Sequence, residues 1–105
     1  MKSTKILIAF VLHLLFATCN TNSVFIDHNK ISINGTRFIL PEEPNVLNTF
    51  NQNVHCEYSG HTFEVQDMHV YLDDNYYGRV KRGDSVVIDA DNRVYINDKL
   101  TRPVN

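Results

Sequence analysis

Five imidazole and sulfur donors fall close together in this chain: His55, Cys56, His61, Met68 and His69. Thiolate, thioether and imidazole are the ligands that copper and zinc prefer, so a metal site has to be considered. The spacing argues against one. His55 and Cys56 are adjacent, and neighbours on a strand point to opposite faces. No pair has the spacing of a Cys-x-x-Cys, and a closed zinc site needs four convergent ligands. Asp89-Ala-Asp91-Asn92 opens like a calcium loop, but Arg93 stands at the third ligand position and no Gly or closing Glu follows in step. Glu57 and Glu64 lie on a polar face beside Thr62 and His55, and exposed strand pairs of this kind support the sheet better than they form an acid–base couple. The sequence contains no nucleophile motif and no glycine-rich phosphate loop. Neither catalytic residues nor metal ligands nor a cofactor are assigned, and an enzyme is not expected.

A different constellation points to binding. Met68 to Asn97 reads as four short strands, and their alternation collects Tyr71, Tyr77, His69 and Arg79 on one face. Tyr95 joins them if neighbouring hairpins align. Tyr and Arg are enriched at protein-binding hot spots. A protein partner is therefore the expected ligand of this face. The competing reading is that the face packs on a second sheet. Arg82-Gly83-Asp84-Ser85 spells the integrin-binding tetrapeptide on an expected tight turn, yet Gly and Asp are what such a turn selects anyway.

The elements that must position these residues have period 2 almost throughout. Val24, Ile26, Ile31 and Ile33 are apolar on one parity. Asn34-Gly35 is a strong hairpin signal, since a type I′ turn needs positive φ twice. With His28-Asn29 it gives a meander of about 24–27, 30–33 and 36–40. Asn34-Gly35-Thr36 also matches a glycosylation acceptor, although the turn alone accounts for it. Pro41-Glu-Glu-Pro44 then breaks the sheet, and 41–53 reads as a Pro/Asn-rich linker, with one helical turn bringing Val46, Leu47 and Phe50 onto the core.

Ser59-Gly60 closes the next hairpin, with Tyr58 opposite His61, Cys56 opposite Phe63, Val54 opposite Val65, and His55 opposite Glu64. Cys56 thus falls on the apolar face, where a thiol behaves as a small hydrophobe. Further on, a three-residue loop at Asp73-Asp74-Asn75 pairs Leu72 with Tyr76, Tyr71 with Tyr77 and Val70 with Gly78. A second, Ala90-Asp91-Asn92, pairs Asp89 with Arg93 and Ile88 with Val94, with Asn92 in the left-handed position that Asn tolerates. Arg82-Gly83 connects the two hairpins. The stretches from Val24 to Phe38 and from Val86 to Leu100 echo one another with a single gap; turn chemistry alone can produce such an echo, and a duplicated unit is the sharper explanation. The fold expected is all-β: a small antiparallel meander, open barrel or sandwich built of short hairpins.

The N-terminus sets the compartment. Lys2 and Lys5 precede an apolar run, Ile6 to Ala17, that has the length of a signal-peptide core and is short for a bilayer span. Residues 1–19 are assigned to this signal and 20–105 to a single β domain. Cleavage near Ala17–Cys19 leaves open a Cys19–Cys56 disulfide, a lone Cys56 thiol, or lipidation of Cys19. Phe16-Ala17-Thr18-Cys19 resembles the lipobox of bacterial lipoproteins over these four positions, which implies an acyl anchor on Cys19. Without Lys2 and Lys5 the chain carries eight basic and twelve acidic residues, a net of −4. That balance speaks against nucleic acid, and contact with a membrane is expected only through the N-terminal segment or a lipid on Cys19. The abundance of Asn, Ile and Tyr without Trp fits an AT-rich genome, as in some bacteria and their phages.

Val70 to Val80 (VYLDDNYYGRV) is similar to a hairpin of PEGA-type surface β modules; the Pro-Gly-Ala stretch that precedes it in that family is missing, and no function is carried over. The expectation is an exported, periplasmic or secreted, non-enzymatic protein that binds a partner at the cell envelope or beyond. The alternatives are a periplasmic metal or small-ligand carrier and a short single-pass anchored protein.

Overall fold

The computed structural model describes residues 24–104. The signal segment, its cleavage site and Cys19 lie outside the described residues. The described chain is all-β, with eleven strands in two sheets. The first three strands, β1 (Val24–Asp27), β2 (Lys30–Ile33) and β3 (Thr36–Ile39), form a meander. The chain then crosses to a second sheet of five strands in sequential order: β4 (Val46–Phe50), β5 (Asn53–Tyr58), β6 (His61–Gln66), β7 (His69–Leu72) and β8 (Asn75–Arg79). It returns through Arg82-Gly83 to complete the first sheet with β9 (Ser85–Ile88), β10 (Val94–Ile96) and β11 (Lys99–Thr101). That sheet has the order β1-β2-β3-β9-β10-β11, and its central β3–β9 junction is parallel.

The two sheets pack face to face on one core. Inward residues of the six-stranded sheet (Ile31, Ile33, Phe38, Val86, Ile88, Val94) meet Val54, Cys56, Tyr58, Phe63, Val65, Val70 and Leu72 of the other, all at most 3 % exposed. The Phe38 and Phe63 rings bridge the layers, their centroids 5.9 Å apart and tilted by 55°. Alternation explains why one strand can serve core and solvent together. Val54, Cys56 and Tyr58 point in while His55 and Glu57 point out. Thr36 is fully buried, and its Oγ1 donates to the Lys81 carbonyl at 2.8 Å. The hydroxyl of the glycosylation triplet thus clips the β3 entrance to the strand-free connection after β8.

Turn chemistry sets the register. Both central residues have positive φ in the turns Asn34-Gly35, Asn51-Gln52, Ser59-Gly60, Asp67-Met68, Asp73-Asp74 and Asn97-Asp98. This is the type I′ signature, whose twist matches that of the flanking strands. The expected pairings of β1 with β2, β5 with β6 and β9 with β10 are all present, and Asn92 has the expected left-handed φ of 61°.

Two expectations are corrected. Residues 41–53 are not all linker and hold no helical turn: Val46–Phe50 is strand β4, paired with β5. It is an edge strand with Leu47 half-buried and Phe50 74 % exposed, so it lacks the apolar alternation of a half-buried strand. The turn between β7 and β8 is the two-residue Asp73-Asp74, which pairs Leu72 with Asn75 and Tyr71 with Tyr76. A bulge then restores the pairing of Val70 with Gly78 and His69 with Arg79. Gly78, at φ 105°, supplies the backbone freedom the bulge requires.

Candidate functional site

The outward face of the five-stranded sheet carries one continuous row across its strands. Register alone places Asn48, His55, Glu64, Tyr71 and Tyr76 side by side on β4 to β8. At its aromatic end the Tyr71 and Tyr76 rings lie 5.2 Å apart, and the His69 ring lies 5.5 Å from Tyr76. A bond of 2.7 Å links His69 Nδ1 and the Tyr76 hydroxyl. Tilted stacking at these separations favours a rigid cluster over three independent side chains. Arg79 stands opposite His69, exposed, with its Nε donating to the Asp67 carbonyl at 3.4 Å.

Toward the other end of the row, next to Asn48, His55 sits between two carboxylates. Its Nε2 lies 2.9 Å from Glu57 Oε2 and its Nδ1 3.2 Å from Glu64 Oε2. The hydrogen bonds to Glu57 and then Glu64 hold its pKa above the ordinary histidine value of 6.5. The sign of the linkage follows: the stabilisation is fully present below the unfolded-state pKa and disappears as pH rises through the raised folded value. We expect the His55 ring, followed by NMR, to titrate above 6.5, and the stability difference between wild type and His55→Gln to shrink across that same window. With the imidazole 36 % exposed, salt should weaken the effect. A midpoint at or below 6.5 would contradict the pairing.

The structure therefore brings together only part of the set expected from sequence. Tyr71, His69 and Arg79 share the outward face. Tyr77 does not: the bulge turns it inward, where it packs against the core, and burial raises its phenol pKa, with Asp73 adding to the effect. Tyr76 takes its place, a residue that the assumed three-residue loop had assigned to the opposite face. Tyr95 is on β10 of the other sheet, outward beside Val87 and Leu100, so the two layers separate it from Tyr71. Cys56 is fully buried, and desolvation pushes its thiol up to about 11, the reverse of a reactive thiolate.

A second network went unanticipated. Asp73 Oδ2 lies 2.7 Å from His61 Nδ1, and Asp73 Oδ1 accepts the Thr62 N–H at 2.9 Å. Burial alone would raise the Asp73 pKa, but the His61 and Thr62 hydrogen bonds outweigh it and hold the carboxyl below its usual range. His61 Nε2 in turn meets Asn92 Nδ2 at 3.0 Å, and the Tyr58 hydroxyl donates to Asn92 Oδ1 at 2.9 Å. An Asp–His pair of this kind would suit a general base, but its far nitrogen is occupied by the Asn92 amide. The network ties the β9–β10 loop of one sheet to β5, β6 and β7–β8 of the other. Only one clue lay in the sequence: Tyr58 falls on an apolar parity, and a buried tyrosine hydroxyl needs a partner.

Among the described residues no group of three or more His, Cys, Asp or Glu side chains is arranged to hold a metal ion. The Asp of the Arg-Gly-Asp sequence is engaged, accepting from Lys81 N of its own turn at 2.8 Å and from Asn97 Nδ2 of the β10–β11 turn at 3.0 Å. Comparison with protein-family models, curated proteins and solved structures found no match for this chain.

Proposed function

We propose that the chain is a small exported, non-catalytic binding domain that holds a protein partner on the outward face of its five-stranded sheet. The observation that carries this reading is the His69–Tyr71–Tyr76 cluster, which packs ring on ring while facing away from the sandwich core. Pre-stacked aromatic rings lose little conformational entropy on binding, which makes them efficient anchors. The adjoining Glu64 and Glu57 carboxylates give the face an acidic side, suited to a partner that presents Arg or Lys beside an apolar surface. Export is supported by the Lys2/Lys5 and Ile6–Ala17 pattern alone.

The bulge makes the test specific. Tyr71→Ala/Tyr76→Ala should leave the domain folded and weaken partner capture by about thirtyfold, the loss of roughly 2 kcal/mol expected when hot-spot rings are removed. Tyr77→Ala should act the other way, lowering stability while sparing capture at temperatures where the domain is folded. Pull-down from envelope and culture fractions, with circular dichroism on each variant, gives both readouts. Retention of every partner by the folded double variant would refute the proposal.

A further inference from the structure

The six-stranded sheet consists of one unit used twice. Aligning Val24 with Val86 and Ile33 with Ile96 makes the pairings coincide. Val24/Ile33, Phe25/Ser32 and Ile26/Ile31 match Val86/Ile96, Val87/Tyr95 and Ile88/Val94. Ile33/Thr36, Ser32/Arg37 and Ile31/Phe38 match Ile96/Lys99, Tyr95/Leu100 and Val94/Thr101. The two units follow one another in the sheet in the same orientation, because the strand that ends the first, β3, runs parallel to the strand that begins the second, β9. A unit joined to its copy by translation leaves the same two edges at the ends of the pair. The outer edge of β11 is the counterpart of the β3 edge that accepts β9. The outer edge of β1 is the counterpart of the β9 edge that docks on it.

From this we infer that a second copy of this chain adds to the first head to tail, its β1 lying parallel to β11 in the register of the internal β3–β9 junction. The backbone is set up for it. Two-residue turns close on hydrogen-bonded pairs, Asp27/Lys30 and Ile96/Lys99, and bonded and unbonded pairs then alternate. The polar backbone groups of Val24 and Ile26 on β1, and of Leu100 on β11, consequently point to the outer edges. Inside the molecule the counterparts of Leu100 and Val24 are engaged: Arg37, equivalent to Leu100, donates its N–H to the Asp84 carbonyl at 3.1 Å, and Val86, equivalent to Val24, pairs with Phe38. Transferring the register sets Thr101 beside Val24 of the next copy, as Phe38 is beside Val86, and Arg102 beside its Phe25, as Ile39 is beside Val87.

Side chains argue for the same occupant. The exposed large hydrophobics divide between two flanks: Phe25, Ile26, Val46 and Phe50 on the β1/β4 side, Leu100 and Val104 on the β11/β8 side. Val24 and Phe50 line one hollow, which puts β1 and β4 on a common flank, and Val104 N–H donates to the Tyr76 carbonyl at the edge of β8. Head-to-tail addition brings the two apolar flanks together. It also places the Arg102 guanidinium next to an aromatic ring. Such a contact is heterologous, so it propagates as an open chain of subunits instead of closing as a two-fold dimer.

The test uses one block at each end. Leu100→Pro removes the outward N–H of β11 while leaving the inward ladder to β10 untouched, and Phe25→Lys places a charge on the apolar flank of β1. Analytical ultracentrifugation of wild type should show a mean mass that climbs with concentration. Each variant alone should assemble at neither its blocked edge nor, lacking an open partner edge, its intact one, and should sediment as monomer. An equimolar mixture should double in mass to a dimer, because the intact β1 of the Leu100→Pro chain meets the intact β11 of the Phe25→Lys chain. Wild type that stays monomeric, or a mixture that does not dimerise although both variants have the wild-type circular dichroism spectrum, overturns the inference. Tyr71→Ala/Tyr76→Ala, on the outward face, should assemble like wild type, which separates this result from the partner-binding proposal.

Discussion

Phe63→Ala should destabilise the domain by about 3–5 kcal/mol, the range for truncating a fully buried phenylalanine. Phe63 has no exposed surface, sits on the central strand of the five-stranded sheet, and faces Phe38 across the layers. Its removal takes away a ring on one side and leaves the other ring without a wall, and two sheets anchored at their turns cannot collapse into the gap. A domain of this size has a total stability of roughly 5–15 kcal/mol, so the variant should unfold at a markedly lower urea concentration and populate unfolded chains on modest heating. Phe50→Ala, on the exposed edge strand, should change stability by less than about 0.5 kcal/mol. A urea midpoint for Phe63→Ala close to that of Phe50→Ala would show that the two sheets are not held by this contact.

The contrast between these phenylalanines also shows what the sequence could disclose. Hairpins closed by Asn34-Gly35 and Ser59-Gly60 were legible because a local signal fixes the turn, and the turn fixes the register of both strands. From the Ser59-Gly60 turn alone Cys56 falls opposite Phe63, and both are in the core. Strand β4 was not legible, since an edge strand among asparagines carries neither alternation nor a glycine turn; Asn51 and Gln52 adopt positive φ without announcing it. The division into two sheets was equally hidden. Pairing of β3 with β9 joins residues nearly fifty positions apart, and nothing local encodes it. The bulge that exchanges Tyr76 for Tyr77 did have a signal, because an isolated glycine within a strand pattern marks a bulge. Gly78 was that glycine.

The candidate face and the core are therefore coupled through one residue count. Had the β7–β8 turn contained three residues, Tyr77 would face solvent and Tyr76 would lie in the sandwich. The two-residue Asp73-Asp74 turn plus the Gly78 bulge gives the opposite assignment while keeping Val70 and Leu72 buried. Asp73 has a further duty in that turn, because its carboxylate takes the Thr62 N–H and the His61 ring. The same aspartate thus shapes the hairpin that presents the aromatic cluster and begins the polar network that joins the layers.

Asn92→Ala should cost about 2–4 kcal/mol through two separable losses. The first is conformational: Asn92 has φ 61°, and an alanine held in the left-handed region costs roughly 1–2 kcal/mol. The second is the amide itself, which accepts from the Tyr58 hydroxyl and donates to His61. Tyr58 is 1 % exposed, and burial first, then the charges of Asp73, Glu42 and Cys56, push its phenol up to about 12. A neutral hydroxyl buried that far has no water to replace its partner, so leaving it unpaired costs about 1–3 kcal/mol. Asn92→Gly removes only the side chain and should recover the conformational part. Tyr58→Phe removes the donor and the need for an acceptor together, so it should cost less than Asn92→Ala. In urea melts, a double-mutant cycle of Tyr58→Phe with Asn92→Gly should return a coupling of about 0.5–3 kcal/mol. A coupling near zero would mean that the hydrogen bond between the layers does not support the sandwich, and that the loop asparagine serves its turn alone.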